Sequence, residues 1–219
     1  MKGWLSDMNI LFLGPQGSGK GTQARILTEK FNFFYFESGA YLRKIAEKDE
    51  WIRSLLSDGK LVPDREMTSY LTAFLDQKNL YDDIIFDGFP RTLPQYRFLK
   101  RWLKEKKVSL DLVLVLKISE KETVRRLSAR RLDPVTGKIY NLITDKPPLD
   151  IEINKLVQRE DDKPEAIEKR LRLYKEQTEP LITELQKDSR VVEVNGERPI
   201  DEIAGDIEKI VKDFKNGNK

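Results

Sequence analysis

Asn9-Ile10-Leu11-Phe12-Leu13-Gly14-Pro15-Gln16-Gly17-Ser18-Gly19-Lys20-Gly21-Thr22 is the stretch that decides how the rest of the chain is read. An apolar run of strand length stops at a glycine, and a helical pattern then begins, with Ala24, Leu27 and Phe31 at suitable spacing. A glycine-rich turn between strand and helix lets backbone N–H groups converge on phosphate oxygens with no Cβ in the way. The helix N-terminus adds partial positive charge, and Lys20 adds a point charge for the outer phosphates. Gly14, Gly17, Ser18, Gly19, Lys20, Gly21 and Thr22 are therefore the candidate phosphate-binding residues. Gly21 occupies the place where such loops usually carry a hydroxyl, which here arrives one residue later at Thr22. Thr22 is accordingly a secondary candidate for a metal contact. The motif signals nucleotide phosphate, but it does not choose between a kinase, an ATPase and a GTPase switch.

Outward from this loop, the stretches 33–36, 84–86, 112–116 and 191–194 read as further short strands, apolar almost throughout. Between them lie amphipathic helical patterns over 43–57, 66–77, 95–106, 120–130, 164–187 and 200–214. Apolar strands alternating with helices predict an α/β fold whose parallel sheet is covered on both faces. The segment from Leu132 to about Asp162 breaks the rhythm with Asp133-Pro134, Thr136-Gly137 and Pro147-Pro148. So long a stretch without a clear helix is a functional lid or a disordered insertion.

Composition narrows the chemistry. The chain of 219 residues carries 40 Lys and Arg against 37 Asp and Glu, a net charge of +3, which does not mark a nucleic-acid binder. It contains no histidine and no cysteine, so imidazole bases, thiol chemistry, disulfides and Cys/His zinc sites are all excluded. A reaction run by this chain needs little proton shuttling or uses carboxylates. No apolar run reaches membrane-spanning length, and residues 1–7 read as a short N-terminal extension lacking the apolar stretch of a signal peptide. The cytoplasm is the expected compartment, with no membrane partner and a monomer as the default state.

Asp87 closes the apolar run Ile84-Ile85-Phe86, where a carboxylate in a phosphate-binding α/β fold can hold Mg²⁺ or its waters. A turn or helix-capping aspartate is the alternative. With the phosphate loop, Asp87-Gly88-Phe89-Pro90-Arg91-Thr92 resembles the signature of adenylate kinases and their nucleoside monophosphate kinase relatives. The resemblance covers nearly the whole chain. It implies a P-loop NTPase-type fold with a five-stranded parallel sheet, a helical monophosphate-binding insertion and a lid. By the same resemblance, Ser38, Gly39 and Arg43 hold the AMP phosphate, while Lys60 and Val62 contact adenine or ribose through their backbone. Gly88, Arg91 and Gln95 complete the acceptor side, with Gln95 on the adenine edge. Arg126, Arg130, Arg159 and Arg170 match lid and hinge arginines, Tyr140 falls on the donor side, and Asp161 and Asp162 match hinge carboxylates. The implied division is a P-loop core of 8–37, 68–130 and 163–219, an AMP-side insertion of 38–67 and a lid of 131–162.

Phosphoryl transfer between two nucleotides crowds negative charge into one place, so positioning and electrostatic stabilisation do most of the work. That makes Lys20, Arg91, Arg126, Arg130, Arg159 and Arg170 intelligible as the catalytic set, clamping oxygens bidentately in a chain without histidine. Solvated surface charge is the competing reading for Arg126 and Arg130, four residues apart on one predicted helix face, and for Arg170 in a charge-dense run. A lid over 131–162 keeps water from the transferred group. Some relatives knit this lid with cysteine-bound zinc; here Asp133, Thr136 and Tyr140 are expected to form a polar network instead, beside Ile139 and Leu142.

Two features stand apart. Ala40 occupies a position where many relatives have an aspartate, and the basic stretch 97–107 is read as a helix with Trp102 inward. The leading expectation is transfer between ATP and AMP to give ADP, with Mg²⁺. The alternatives are a related kinase with another donor or acceptor base (GTP:AMP, or UMP/CMP) and a GTPase switch. Asn154-Lys155 continues as Leu156-Val157, without the aspartate of a guanine-reading motif, which weakens the last.

Overall fold

Residues 8–217 are described by a computed structural model. Five short strands, β1 (Ile10–Leu13), β2 (Phe34–Glu37), β3 (Ile84–Asp87), β4 (Leu112–Lys117) and β7 (Arg190–Asn195), form one parallel sheet in the order β2-β3-β1-β4-β7. The register pairs Ile10 with both Ile85 and Leu112, so β1 lies at the centre with β3 and β4 on either side. Buried on both faces, the inner strands β1, β3 and β4 are apolar at consecutive positions, and their alternate side chains enter two separate cores. Leu11, Leu13, Phe86, Val113 and Val115 pack with Leu71, Leu99 and Leu185 on one face. Ile10, Phe12, Ile85, Leu112 and Leu114 meet Ala24, Leu27 and Ile207 on the other.

The helices covering these faces are α1 (Lys20–Phe31), α4 (Asp64–Lys78), α5 (Leu93–Glu105), α8 (Glu179–Leu185) and α9 (Ile200–Lys215). Trp102 on α5 is buried in the first core, as the helical pattern of 95–106 predicts. No helix among the described residues is long and apolar enough to cross a membrane. The expected N-terminal extension, residues 1–7, lies outside the described residues.

Three predicted helices are drawn differently by the structure. The stretch 43–57 is not one helix: α2 (Ser38–Ala46) starts earlier, and α3 (Glu50–Ser57) begins afresh after Asp49. The Asp49 carboxylate accepts from the Ile52 N–H, an N-cap that restarts the helix where helical periodicity alone shows no break. The stretch 164–187 runs as α7 (Pro164–Leu173), a π-helical turn (Tyr174–Thr178) and α8. The helix predicted over 120–130 ends sooner. α6 (Glu120–Ser128) stops short of Arg130, which opens β5 (Arg130–Leu132), paired antiparallel with β6 (Ile139–Asn141). Arg126 and Arg130 therefore do not share a helix face, because the chain turns into a hairpin between them.

Leu114 sits in β4, fully buried between neighbouring strands. Replacement by alanine leaves a cavity that the sheet cannot collapse, at a cost of about 2–5 kcal/mol. Chemical denaturation should show this as a lowered midpoint with an unchanged slope.

Candidate functional site

The sheet order places β1 beside β3 on one side and β4 on the other, and crevices at the C-terminal ends of such strands are where open α/β sheets bind ligands. A cavity of about 510 Å³ opens there, lined by the 14–22 loop and by Asp87 at the end of β3. Gly14 has φ 139°, and a Cβ placed on it would lie 2.4 Å from the carbonyl oxygen of Leu116, so the loop can leave β1 only at a glycine. Gly88 has φ 80°, and its Cβ would fall 2.4 Å from the Ser38 hydroxyl, which fixes how closely the 87–91 turn meets α2.

The candidate phosphate-binding, AMP-side, metal and catalytic residues all line this one cavity, while Ala40, Asp133, Thr136, Leu142 and Asp162 do not. From the phosphate loop these are Gly14, Gly17, Ser18, Gly19, Lys20, Gly21 and Thr22; from α2 they are Ser38, Gly39 and Arg43. Lys60 and Val62 come from the segment between α3 and α4, and Asp87, Gly88, Arg91 and Gln95 from the end of β3 and the start of α5. Arg126, Arg130, Tyr140, Arg159 and Arg170 reach it from α6, the hairpin, the approach to α7 and α7 itself.

The basic groups are held in place by protein acceptors. Lys20 Nζ donates to the carbonyls of Gly14 and Pro15, each at 2.9 Å. Arg91 Nε donates to the Gly88 carbonyl at 2.7 Å, and the carbonyl of Arg91 accepts from the Thr178 hydroxyl at 2.9 Å. Arg43 donates to Glu37 at 2.9 Å, and Arg126 Nε donates to Glu122 at 2.6 Å. Arg130 forms a two-pronged pair with the buried Asp162, its Nε–Oδ2 distance being 2.7 Å. Arg170 donates to both the carbonyl and the carboxylate of Asp161 at 2.8 and 2.9 Å. Arg159 is the exception, with a buried Nε that has no hydrogen-bond partner among the described residues.

Burial and mutual repulsion act on these groups. Desolvation lowers Lys20 from its ordinary 10.5 to about 8; Asp87 opposes the fall, while Arg91, Arg170 and Arg130 add to it. Burial also lowers Arg159 and Arg170 to about 10, helped in each case by a neighbouring Arg130. Asp87 is pushed up by burial, against the pull of Lys20. The Tyr35 hydroxyl donates to Asp87 at 2.8 Å, and burial followed by the charge of Asp87 raises its own pKa. For Asp161, burial pushes upward, but Arg170, Arg130 and Arg159 hold it below the ordinary carboxylate value.

The polar network expected over the hairpin forms only in part. Thr136 donates its hydroxyl to Asp133 at 2.6 Å, and the Val135 N–H joins at 2.9 Å. Tyr140 takes no part: its ring is buried, with Lys138 Nζ 5.0 Å from the ring centroid. Strand alternation explains the difference, since Tyr140 pairs with Arg131 and turns inward while Asp133 and Thr136 stay in the exposed turn.

Tyr35, Glu37, Asp64, Glu122 and Thr178 also hold the site's residues and are not among the sequence candidates. Glu122 was visible, lying four residues before Arg126 on one helix. Thr92 and Gln95 also carry a capping-box spacing, since the Thr92 side chain accepts from the Gln95 N–H. Tyr35, Glu37, Asp64 and Thr178 act across elements and leave no local signal.

A phosphate loop at a sheet switch point, facing arginines from several segments, defines a P-loop protein that handles the phosphates of more than one nucleotide. The family model for adenylate kinase matches residues 12–190. The chain is 35% identical to an adenylate kinase of Petrotoga mobilis over 94% of its length and 99% of the relative's. It is 38% identical to one of Thermosipho africanus over 94% and 100%, and 37% identical to one of Pyrococcus furiosus over 95% and 98%. The chain belongs to the adenylate kinase family and is a phosphotransferase.

Because Lys20 titrates near 8 in the folded protein and at 10.5 when unfolded, its charged form costs stability below pH 8, and that cost is released as pH rises from 8 towards 10.5. A polyphosphate placed in the loop would pull the value back up. Nucleotide binding at pH 8 should therefore take up a fraction of a proton, seen as a calorimetric enthalpy that varies with the buffer's ionisation heat. Lys20→Ala should abolish that variation.

Proposed function

We propose that the chain transfers the terminal phosphoryl group of ATP reversibly to AMP, giving two ADP, with Mg²⁺ carried alongside the nucleotide phosphates. The observation that carries this reading is the convergence of the phosphate loop, the 87–91 turn and arginines from α2, α6, the hairpin and α7 on one cavity. A single nucleotide does not require cations from so many separate segments; two phosphate-bearing substrates meeting end to end do.

The roles divide along the cavity. On the donor side, backbone N–H groups of the 14–22 loop hold the ATP phosphates and Lys20 exchanges its two carbonyl partners for phosphate oxygens. Arg126 and Arg130 approach the same phosphates, and Tyr140 lies towards the donor base. On the acceptor side, Ser38, Gly39 and Arg43 bind the AMP phosphate, with Arg43 released from Glu37. Lys60, Val62, Gly88 and Gln95 surround the acceptor base, and Arg91, Arg159 and Arg170 bridge towards the group in transfer. The orphaned Nε of Arg159 supports this, since a buried donor without a partner is costly unless a ligand meets it.

The residues present fit a nucleotide-borne Mg²⁺. Among the described residues no group of three or more acidic side chains is placed to hold a metal ion, whereas Asp87 lines the cavity beside the phosphate loop. Mg²⁺ keeps several waters and leans on one or two carboxylates plus substrate phosphates, so Asp87 would hold it through water, with Thr22 the lesser contact. When bound, Mg²⁺ offsets charge on the phosphate oxygens. The division into a core (8–37, 68–130, 163–219), an AMP-side insertion (38–67) and a closing lid (131–162) belongs to the same proposal, with Asp161 and Asp162 at the hinge. Closure would exclude water and bring Arg126, Arg130 and Arg159 onto the phosphates.

Arg91→Ala should lower kcat roughly 10³-fold while leaving the denaturation midpoint near that of the parent protein. The check is a coupled assay with ATP and GTP as donors and AMP, CMP, UMP and GMP as acceptors. Parent-like turnover in the variant would remove Arg91 from the reaction, and absence of transfer to AMP by the parent protein would refute the proposed substrate pair.

A further inference from the structure

Asp64 begins α4, and its carboxylate is directed at the start of α5. Its Oδ1 accepts from Gln95 Nε2 at 2.8 Å and from the Thr92 hydroxyl at 2.9 Å. At the other end of the same amide, Gln95 Oε1 accepts from the backbone N–H of Arg91 at 2.7 Å. These two partners leave the amide one orientation. A backbone N–H can only donate and a carboxylate can only accept, so turning the amide over would set NH₂ against N–H and oxygen against oxygen. Gln95 is also almost fully buried, at 2% exposure, and water cannot relieve the mismatch.

An amide has two donor hydrogens and two acceptor positions. One of each is spent on Asp64 and Arg91, so Gln95 retains one donor and one acceptor, in fixed order, on the wall of the cavity. We propose that Asp64 is a specificity-determining residue: through Gln95 it selects an acceptor base whose pairing edge carries a ring acceptor beside an exocyclic amino donor, and rejects bases carrying a ring N–H beside an exocyclic oxygen. The 6-aminopurine edge, with N1 accepting and the amino group donating, is complementary to the locked amide. The 6-oxopurine edge presents N1–H and O6, the reverse order, and matches only the flipped amide, which Asp64 opposes at one end and the Arg91 N–H at the other. The inference rests on Gln95 facing the acceptor base, as proposed above.

The test compares AMP with IMP, a 6-oxopurine monophosphate that differs at this edge and carries no extra 2-amino group. The kcat/KM ratio of AMP to IMP is measured with ATP as donor for the parent protein and for Asp64→Asn. Asparagine fills the same space but can offer oxygen or NH₂ to Gln95, so the flip at that end no longer opposes a carboxylate. The AMP preference should fall roughly tenfold, the discrimination carried by one charge-assisted hydrogen bond, with IMP gaining relative to AMP. Being a ratio, the readout does not depend on the fraction of variant that is folded. An unchanged ratio, including equal losses with both acceptors, would make Asp64 a structural tie and overturn the inference alone. A parent protein that fails to phosphorylate AMP would overturn the acceptor assignment, and this inference with it.

Discussion

Positive charge that must wait for its ligand is the constraint around which this molecule is built. Lys20, Arg43, Arg91, Arg126, Arg130, Arg159 and Arg170 all face one cavity, and burial and mutual repulsion lower Lys20, Arg91, Arg159 and Arg170. Isolated buried cations are expensive. The fold meets that cost with partners that do not compete too strongly: carbonyls for Lys20 and Arg91, and carboxylates for Arg43, Arg126, Arg130 and Arg170. Each of these arginines except Arg159 is thereby held in place by a named acceptor.

The sheet makes this convergence possible. With β1 between β3 and β4, the loop after β1 and the carboxylate ending β3 emerge side by side at one edge. The remaining basic residues arrive from segments far apart in sequence, so their meeting depends on the helices that carry them. The π-helical turn between α7 and α8 contributes here: Thr178, at its end, reaches the Arg91 carbonyl and ties the helical run carrying Arg170 to the 87–91 turn. Such turns recur at functional sites because the inserted residue re-aims neighbouring side chains.

Polar fixation extends to the proposed acceptor side. Glu37 accepts from both Arg43 and Arg25, supplying carboxylate charge close to a helix where position 40 is alanine. Asp64 does for the Gln95 amide what Glu37 does for Arg43, setting a direction before any ligand is bound. In both cases a side chain lining the cavity is oriented by a partner from another element.

The sequence by itself determined the phosphate loop, the five strands and the covered parallel sheet, because apolar runs, glycines and a lysine at fixed spacing act over a few residues. It also determined the exclusion of zinc and imidazole chemistry, which needs only a count. Helix ends were less legible. Asp49 restarts a helix inside 43–57, and the hairpin turn removes Arg130 from the helix of Arg126, since single hydrogen bonds and strand pairing override periodicity there. Only the tertiary structure decided that Asp162 holds Arg130 and that Asp64 fixes Gln95. Those facts depend on contacts between residues some thirty positions apart, and no local spacing encodes them.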